Sequence, residues 1–450
     1  MGEIANYKIN GVDIYGLKNE FSSSPILMEA FAPNDWVTED ESEEDAGYLG
    51  FKTTREIAVE RLDAQGFTLR RSIDALRAAA HELRDYMASP KDDPDEEDTE
   101  WLYLDDYGSR IEWDEIFPVL EDDEATVSGY AQVLKSHLDT EKTWFPSIVE
   151  HGTVIAPVNA LAKRLLSCEA HSVLWASPFF PEDIAPEFIL RICLESAPGG
   201  STVEYDCTHP LRYWDESLED QLWAYLNRTT FSPAAQTIVL TEGETDDRFL
   251  GYGFELLRPN VKHLFRFFDC HNGAEPERSA AALQKLCASM ASAGLQEKFL
   301  FLFDNDAVGN SSLQKTPADM PENMKAMPLP ELEVANDYPT FGPNGLARAN
   351  VNGRAVSIEF FLGVDSLKNG DGELRPIVWN EFHSGTYQGS FAKDDKKEIQ
   401  QSFEQAVQDA REHGIASSKH DWGPMEYLLD TLIESASKLN GPAINYQRLF

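Results

Sequence analysis

Apolar positions alternate with polar ones at the start of the chain. Tyr7, Ile9, Val12 and Ile14 stand around Gly11 and Gly16, a pattern that predicts a β-hairpin. After an acidic loop, Glu39 to Asp45, TTREIAVERLDAQGF predicts a helix opened by Thr53 or Thr54 and closed near Gly66. In the following TLRRSIDALRAAAHELRDYM, residues Leu69, Ile73, Leu76, Ala80, Leu83 and Met87 recur at three- and four-residue steps. That spacing predicts an amphipathic helix, with Arg70, Asp74, Arg77, His81 and Arg84 along another face. Residues 88–100, ASPKDDPDEEDTE, form a linker by proline content and charge. Helical patches follow, notably 155–174 and 183–197, and Ser232-Pro233 marks another boundary.

From Thr237 the periodicity changes. TIVLTEG is a β-branched strand ending in a glycine turn, followed by a helix from Asp246 to Leu256. VKHLFRFFD is a second strand, ERSAAALQKLCASMASAG a helix closed by Gly294, and KFLFLFDND a third strand. Residues 317–345, rich in Pro and Gly, form an excursion before VSIEFFLG, taken as the fourth strand, and two helices are predicted at 397–413 and 423–439. Strands alternating with helices predict a parallel sheet with crossover connections. The expected fold class is therefore α/β: an α+β N-terminal domain (1–90), an acidic linker and helical region (91–230), a Rossmann-like parallel sheet flanked by helices (231–370), and a C-terminal helical segment (371–450).

Composition narrows the class. With 42% hydrophobic and 11% aromatic residues among 450, the chain can bury large cores, which excludes wholesale disorder. The five cysteines are odd in number, scattered and never in a CxxC pair, which argues against a disulfide scaffold or a cysteine zinc ribbon. The N-terminus lacks a basic stretch before an apolar core, and no segment approaches the ~20 apolar residues of a membrane span. The expectation is a cytoplasmic protein without a membrane partner.

Charge complicates the picture. The net charge of −40 disfavours a broad phosphate-binding surface. Residues 91–124 carry 16 acids and 2 bases, whereas 51–90 carry 7 bases and 6 acids, so a local basic site remains compatible with the total. The stripe of Arg70, Arg77 and Arg84 is the candidate nucleic-acid contact, although Asp74, four residues after Arg70, suits an ordinary solvated ion pair equally well.

The chemistry concentrates at strand ends. In an open parallel sheet, ligands bind outside the C-terminal ends of the strands. Glu242 follows TIVL, Asp269 follows FRFF, Asp304 and Asp306 follow FLF, and Glu359 lies in the fourth strand. Acids after strands also serve as helix caps, so each one alone means little. Together, in this order, they form a set of repelling carboxylates that calls for a hard divalent cation, Mg2+ or Mn2+.

VLTEGETD followed about sixty residues later by LFDND resembles a Toprim domain, the metal-binding α/β module of topoisomerases, primases and overcoming-lysogenization-defect nucleases. The resemblance covers about 237–365 and rests on Glu242-Gly243 and Asp304-Asn305-Asp306. Its nuclease branch adds an acid four residues after the Glu, matched by Asp246, and a later Glu, matched by Glu359. The opening MGEIANYKINGVDIYGLKN with YLGFKTTREIAVERLDAQGFTL is similar to the HEPN/Toprim-associated N-terminal domain of bacterial defence proteins. Arg164 and His171 have the spacing of a HEPN ribonuclease motif, one that chance supplies in most chains of this length, and they carry no assignment.

The resemblance implies metal-dependent phosphodiester hydrolysis of DNA or RNA in anti-phage defence. Glu242 would serve as general base or metal ligand; Asp246, Asp304, Asp306, Glu359 and Asp269 complete the candidate ligand set. Among Lys393, Lys396 and Arg354, Lys396 is the candidate cation facing the phosphate. The expected partner is nucleic acid, with room for a regulatory protein and for an oligomer. The alternative is a non-catalytic sensor or assembly module that keeps the fold for binding alone.

Overall fold

Asn10 and Gly11, both at positive φ (52° and 75°), turn the chain between β1 (Ile4–Ile9) and β2 (Val12–Lys18). Such a two-residue turn matches the right-handed twist of the strands, so the hairpin expected from the alternation forms here. The computed structural model describes residues 4–18, 27–39, 47–88, 113–139, 185–213, 217–267, 279–383 and 385–439. They divide into two compact units between Ser232 and Pro233.

In the first unit, β1 and β2 join β3 (Trp36–Glu39), β4 (Tyr48–Thr54) and β5 (Thr202–Asp206) in an antiparallel sheet of order β2-β1-β5-β4-β3. Alternate residues of β1 (Ala5, Tyr7 and Ile9) are buried, and Tyr7 stacks on Tyr205 of β5 at 4.4 Å. Because β5 lies between β1 and β4, this sheet draws on both sides of position 90. The helices are α1 (Arg55–Ala64), α2 (Leu69–Ala88), α3 (Trp113–Leu120), α4 (Asp123–Asp139), α5 (Pro186–Ser196), α6 (Thr208–Tyr213) and α7 (Leu218–Leu226). Thr54 caps α1 by accepting from the Ile57 amide at 3.4 Å, and Ile73, Leu76 and Ala80 of α2 face the core. The helical patch at 155–174 and the pair Arg164 and His171 lie outside the described residues.

The second unit is α/β. Strands β6 (Thr237–Thr241), β7 (Phe265–Phe267), β8 (Lys298–Phe303) and β10 (Met324–Pro328) form a parallel sheet of order β10-β8-β6-β7. Every residue of β8 from Phe299 onward is buried, as for a central strand covered on both faces. Phe299, Phe301 and Phe303 meet α9 (Ala280–Ala293) through Leu283 and Cys287. Across the sheet lie α8 (Glu244–Leu257) and α12 (Gly423–Ser437). At Gly253 of α8 a Cβ would come within 2.9 Å of Met425 Sδ, so the two helices pack closely there.

Here one expectation is corrected. The fourth parallel strand is β10, inside the stretch taken as an excursion. VSIEFFLG instead contributes only Val356 to a two-residue strand, β13 (Ala355–Val356), and then forms a 3-10 turn, Ile358–Phe361. Ile358, Glu359, Phe360 and Phe361 are all buried, and an apolar run buried on every side has no period to separate a strand from a turn. β13 pairs with β9 (Asn305–Asp306), directly after β8, while α10 (Ala307–Leu313) leads away from it.

A second sheet, ordered β12-β11-β14-β15, comprises β11 (Tyr338–Gly342), β12 (Gly345–Ala349), β14 (Ile377–His383) and β15 (Thr386–Phe391). The tail beyond 370 is thus helical only in part. α11 (Lys393–His413) follows β15, and α12 matches the second predicted tail helix.

Candidate active site

β6 and β8 are neighbours, yet the chain leaves them toward opposite edges of the sheet, β7 beyond β6 and β10 beyond β8. The gap between their C-terminal ends is the topological switch point where such sheets bind ligands. Glu242 and Asp304 stand at its two sides. Glu242 Oε1 accepts the Asp304 backbone N–H at 2.9 Å, so the two acidic motifs meet directly. Gly309 permits this approach, since a Cβ there would fall 2.2 Å from the Asp304 carbonyl oxygen and 3.0 Å from Glu242 Oε1.

The other acids arrive by local capping. Asp246, at the third position of α8, accepts the Gly243 N–H at 3.0 Å. Asp306 precedes α10 and accepts the Gly309 N–H at 2.7 Å. Capping and clustering thus hold for the same side chains. Glu359, fully buried, accepts from Ser357 Oγ at 2.6 Å and from Gln400 Nε2 at 2.8 Å. Lys396 of α11 places Nζ 3.0 Å from Glu359 Oε1.

The electrostatics separate two halves. Burial, with repulsion from Asp306 and Asp246, pushes Glu242 up to about 7 against the stabilising Asp304 amide. Burial and Glu359 push Asp246 up to about 7, although Lys396 opposes them. Asp304 is held well above the usual carboxylate range by burial, then by Asp246, Glu242, Asp306 and Glu359. These three carboxyls favour protons because burial, and then the neighbouring carboxylates, disfavour their charged forms. Glu359 accepts from Lys396, Gln400 and Ser357, and Asp306 from Gly309 and Gln388. Burial alone would lower Lys396, but Glu359, Asp304 and Asp246 outweigh it and raise it.

The acidic side chains here offer carboxylate oxygens, the ligands a hard divalent cation takes, and such an ion would offset the repulsion among them. Among the described residues no three acidic, His or Cys side chains already stand in a metal-holding arrangement. Glu242 and Asp306 each accept protein N–H groups, and since a carboxylate offers about four lone-pair sites these bonds orient the carboxylates while leaving sites for an ion.

Asp269 lies outside the described residues. The arginine stripe belongs to the first unit and is engaged by acids. Arg70 pairs with Asp74 at 3.3 Å, Arg77 with Asp74 at 2.9 Å and Asp123 at 3.1 Å, and Arg84 with Asp85 at 2.9 Å. Arg77 Nε also donates to the Leu120 carbonyl at 2.8 Å, tying α2 to the end of α3. Sequence reasoning missed Gln388, Gln400 and Gly309. None carries charge, and only the spacing of Gly309 to the DND motif could have drawn attention.

Residues 1–210 match the family described as HEPN/Toprim N-terminal domain 1, a span that takes in β5 and the whole first sheet. No curated protein and no solved structure matches the chain. The match supports a HEPN/Toprim-associated protein, joined here to an α/β unit with an acidic switch-point site. Among the described residues no helix is long and apolar enough to cross a membrane.

Proposed function

We propose that the protein is a divalent-metal-dependent nuclease that hydrolyses phosphodiester bonds of DNA or RNA, in bacterial anti-phage defence. The meeting of Glu242, Asp304 and Asp306 at the switch point of a parallel sheet carries this reading. Asp304, Asp306 and Glu242, with Asp246 and Glu359 beside them, would hold Mg2+ or Mn2+; such an ion supplies neutralisation of the attacked phosphate and an acidified water. Glu242, which burial and the neighbouring acids push up to about 7, is the candidate general base. Lys396, half exposed and paired with Glu359, is the cation that would face an incoming phosphate. The HEPN/Toprim N-terminal match supports a nuclease-associated role.

Purified protein incubated with plasmid DNA and total tRNA should cleave one of them in Mg2+ or Mn2+, and neither in chelator or as Asp304→Ala. Cleavage that survives in the variant refutes the reading. A non-catalytic sensor is the second reading, favoured by the carboxylates' present engagement with backbone N–H groups. Metal binding without cleavage of either substrate would establish it.

A further inference from the structure

Gln388 lies in neither acidic motif and is 82 residues from Asp306 in the chain. Its carboxamide nevertheless makes three hydrogen bonds at the site. Oε1 accepts the Ala307 N–H at 2.7 Å and the Val308 N–H at 3.3 Å, and Nε2 donates to Asp306 Oδ2. The two backbone donors decide which end of the amide is which. Flipped, its NH2 would face two N–H groups and its oxygen would face a carboxylate. Asp306 Oδ1 meanwhile takes the Gly309 N–H at 2.7 Å, so both its oxygens are gripped. Glu242 and Asp304 are instead crowded by like charge.

Resting on the metal-dependent reading above, we propose that Gln388 is a positioning residue: it sets the orientation of the Asp306 carboxylate toward the divalent ion. The amide suits this task because it is neutral. It donates to Asp306 without adding a cation that would compete with the metal, and its own oxygen is fixed by the start of α10. Outer partners of this kind typically change metal affinity by about 10–100-fold when removed.

The test is a double-mutant cycle on the full chain, read by calorimetric titration with Mn2+ alone and by melting temperature in chelator. Gln388→Leu should raise the Kd for Mn2+ by about 10–100-fold. Asp306→Asn should raise it too, and the double variant should bind no more weakly than Asp306→Asn, because the first change acts through the second residue. A wild-type Kd in Gln388→Leu, or losses that simply add, would overturn the proposal and leave Gln388 as a prop for α10. If Gln388→Leu does not fold, Gln388→Asn, one methylene too short to span both partners, should give the same cycle. Absent Mn2+ binding by the wild type overturns this proposal and the hydrolysis reading together. The expected cycle without nucleic-acid cleavage overturns the hydrolysis reading alone.

Discussion

Lys396→Met is the most informative single change for the energetics of the site. It removes the ammonium 3.0 Å from Glu359 Oε1 but keeps much of the aliphatic stem. The Glu359 carboxylate, fully buried, is left with two neutral donors, Ser357 Oγ and Gln400 Nε2. Stranding a buried charge costs roughly 3–5 kcal/mol, whereas losing an exposed pair costs about 0–1. Lys396 is 46% exposed, so water screens the pair and the expected loss is about 1–2 kcal/mol. For a unit of this size that lowers the melting temperature by roughly 2–8 °C. Adding Glu359→Gln should recover most of the loss, since its amide nitrogen can turn to Ser357, whose hydroxyl then accepts. Lys396 also faces Asp304 and Asp246, so its loss raises their proton affinity further. The gap between wild type and variant should therefore widen as pH rises from 5 to 8 in chelator. Scanning calorimetry at both pH values checks this; a gap independent of pH, or no recovery from Glu359→Gln, would refute the reasoning.

In chelator, wild-type stability relative to Asp304→Asn should fall as pH rises from about 5 to above 7, because Asp304, held well above the usual carboxylate range, keeps in the fold a proton that it loses at ordinary carboxylate pH when unfolded, whereas the amide does not titrate. Mg2+ or Mn2+ should remove that slope and raise the melting temperature, and the rise should vanish in Asp304→Ala/Asp306→Ala; melting curves across pH test both parts. Gly309→Ala should cost roughly 1–3 kcal/mol by denaturant titration and abolish any metal-dependent cleavage, since its Cβ would lie 2.2 Å from the Asp304 carbonyl oxygen. Arg77→Ala should lose roughly 1–3 kcal/mol in the same assay by orphaning the Leu120 carbonyl, whereas Arg70→Glu, at an 80% exposed side chain, should stay within about 0.5 kcal/mol. A weakened, salt-flattened nucleic-acid affinity in Arg70→Glu would then report phosphate contact rather than unfolding.

Local chemistry alone determined much of this protein. The hairpin at Asn10-Gly11, the capped start of α1 and the burial of β8 follow from turn residues, capping hydroxyls and apolar runs that act within a few positions. Glu242, Asp304 and Asp306 were legible because a parallel sheet presents strand ends at one edge, so acids placed there must come near one another. Asp246 was legible only through the resemblance to the Toprim nuclease pattern, which places an acid four residues after the Glu. Tertiary structure decided the rest. The edge strand β10 is short and ends in Pro328, so its membership depends on pairing with β8 and not on its own pattern. Glu359 sits in a turn because Phe360 packs against Tyr338 and Phe391, contacts between segments far apart in sequence. Lys396, the candidate cation within KDDKKE, acquires a partner only where α11 carries it to Glu359. Gln388 and Gln400 had no charge, period or motif to mark them; amides acquire direction only from the donors and acceptors that the fold sets around them.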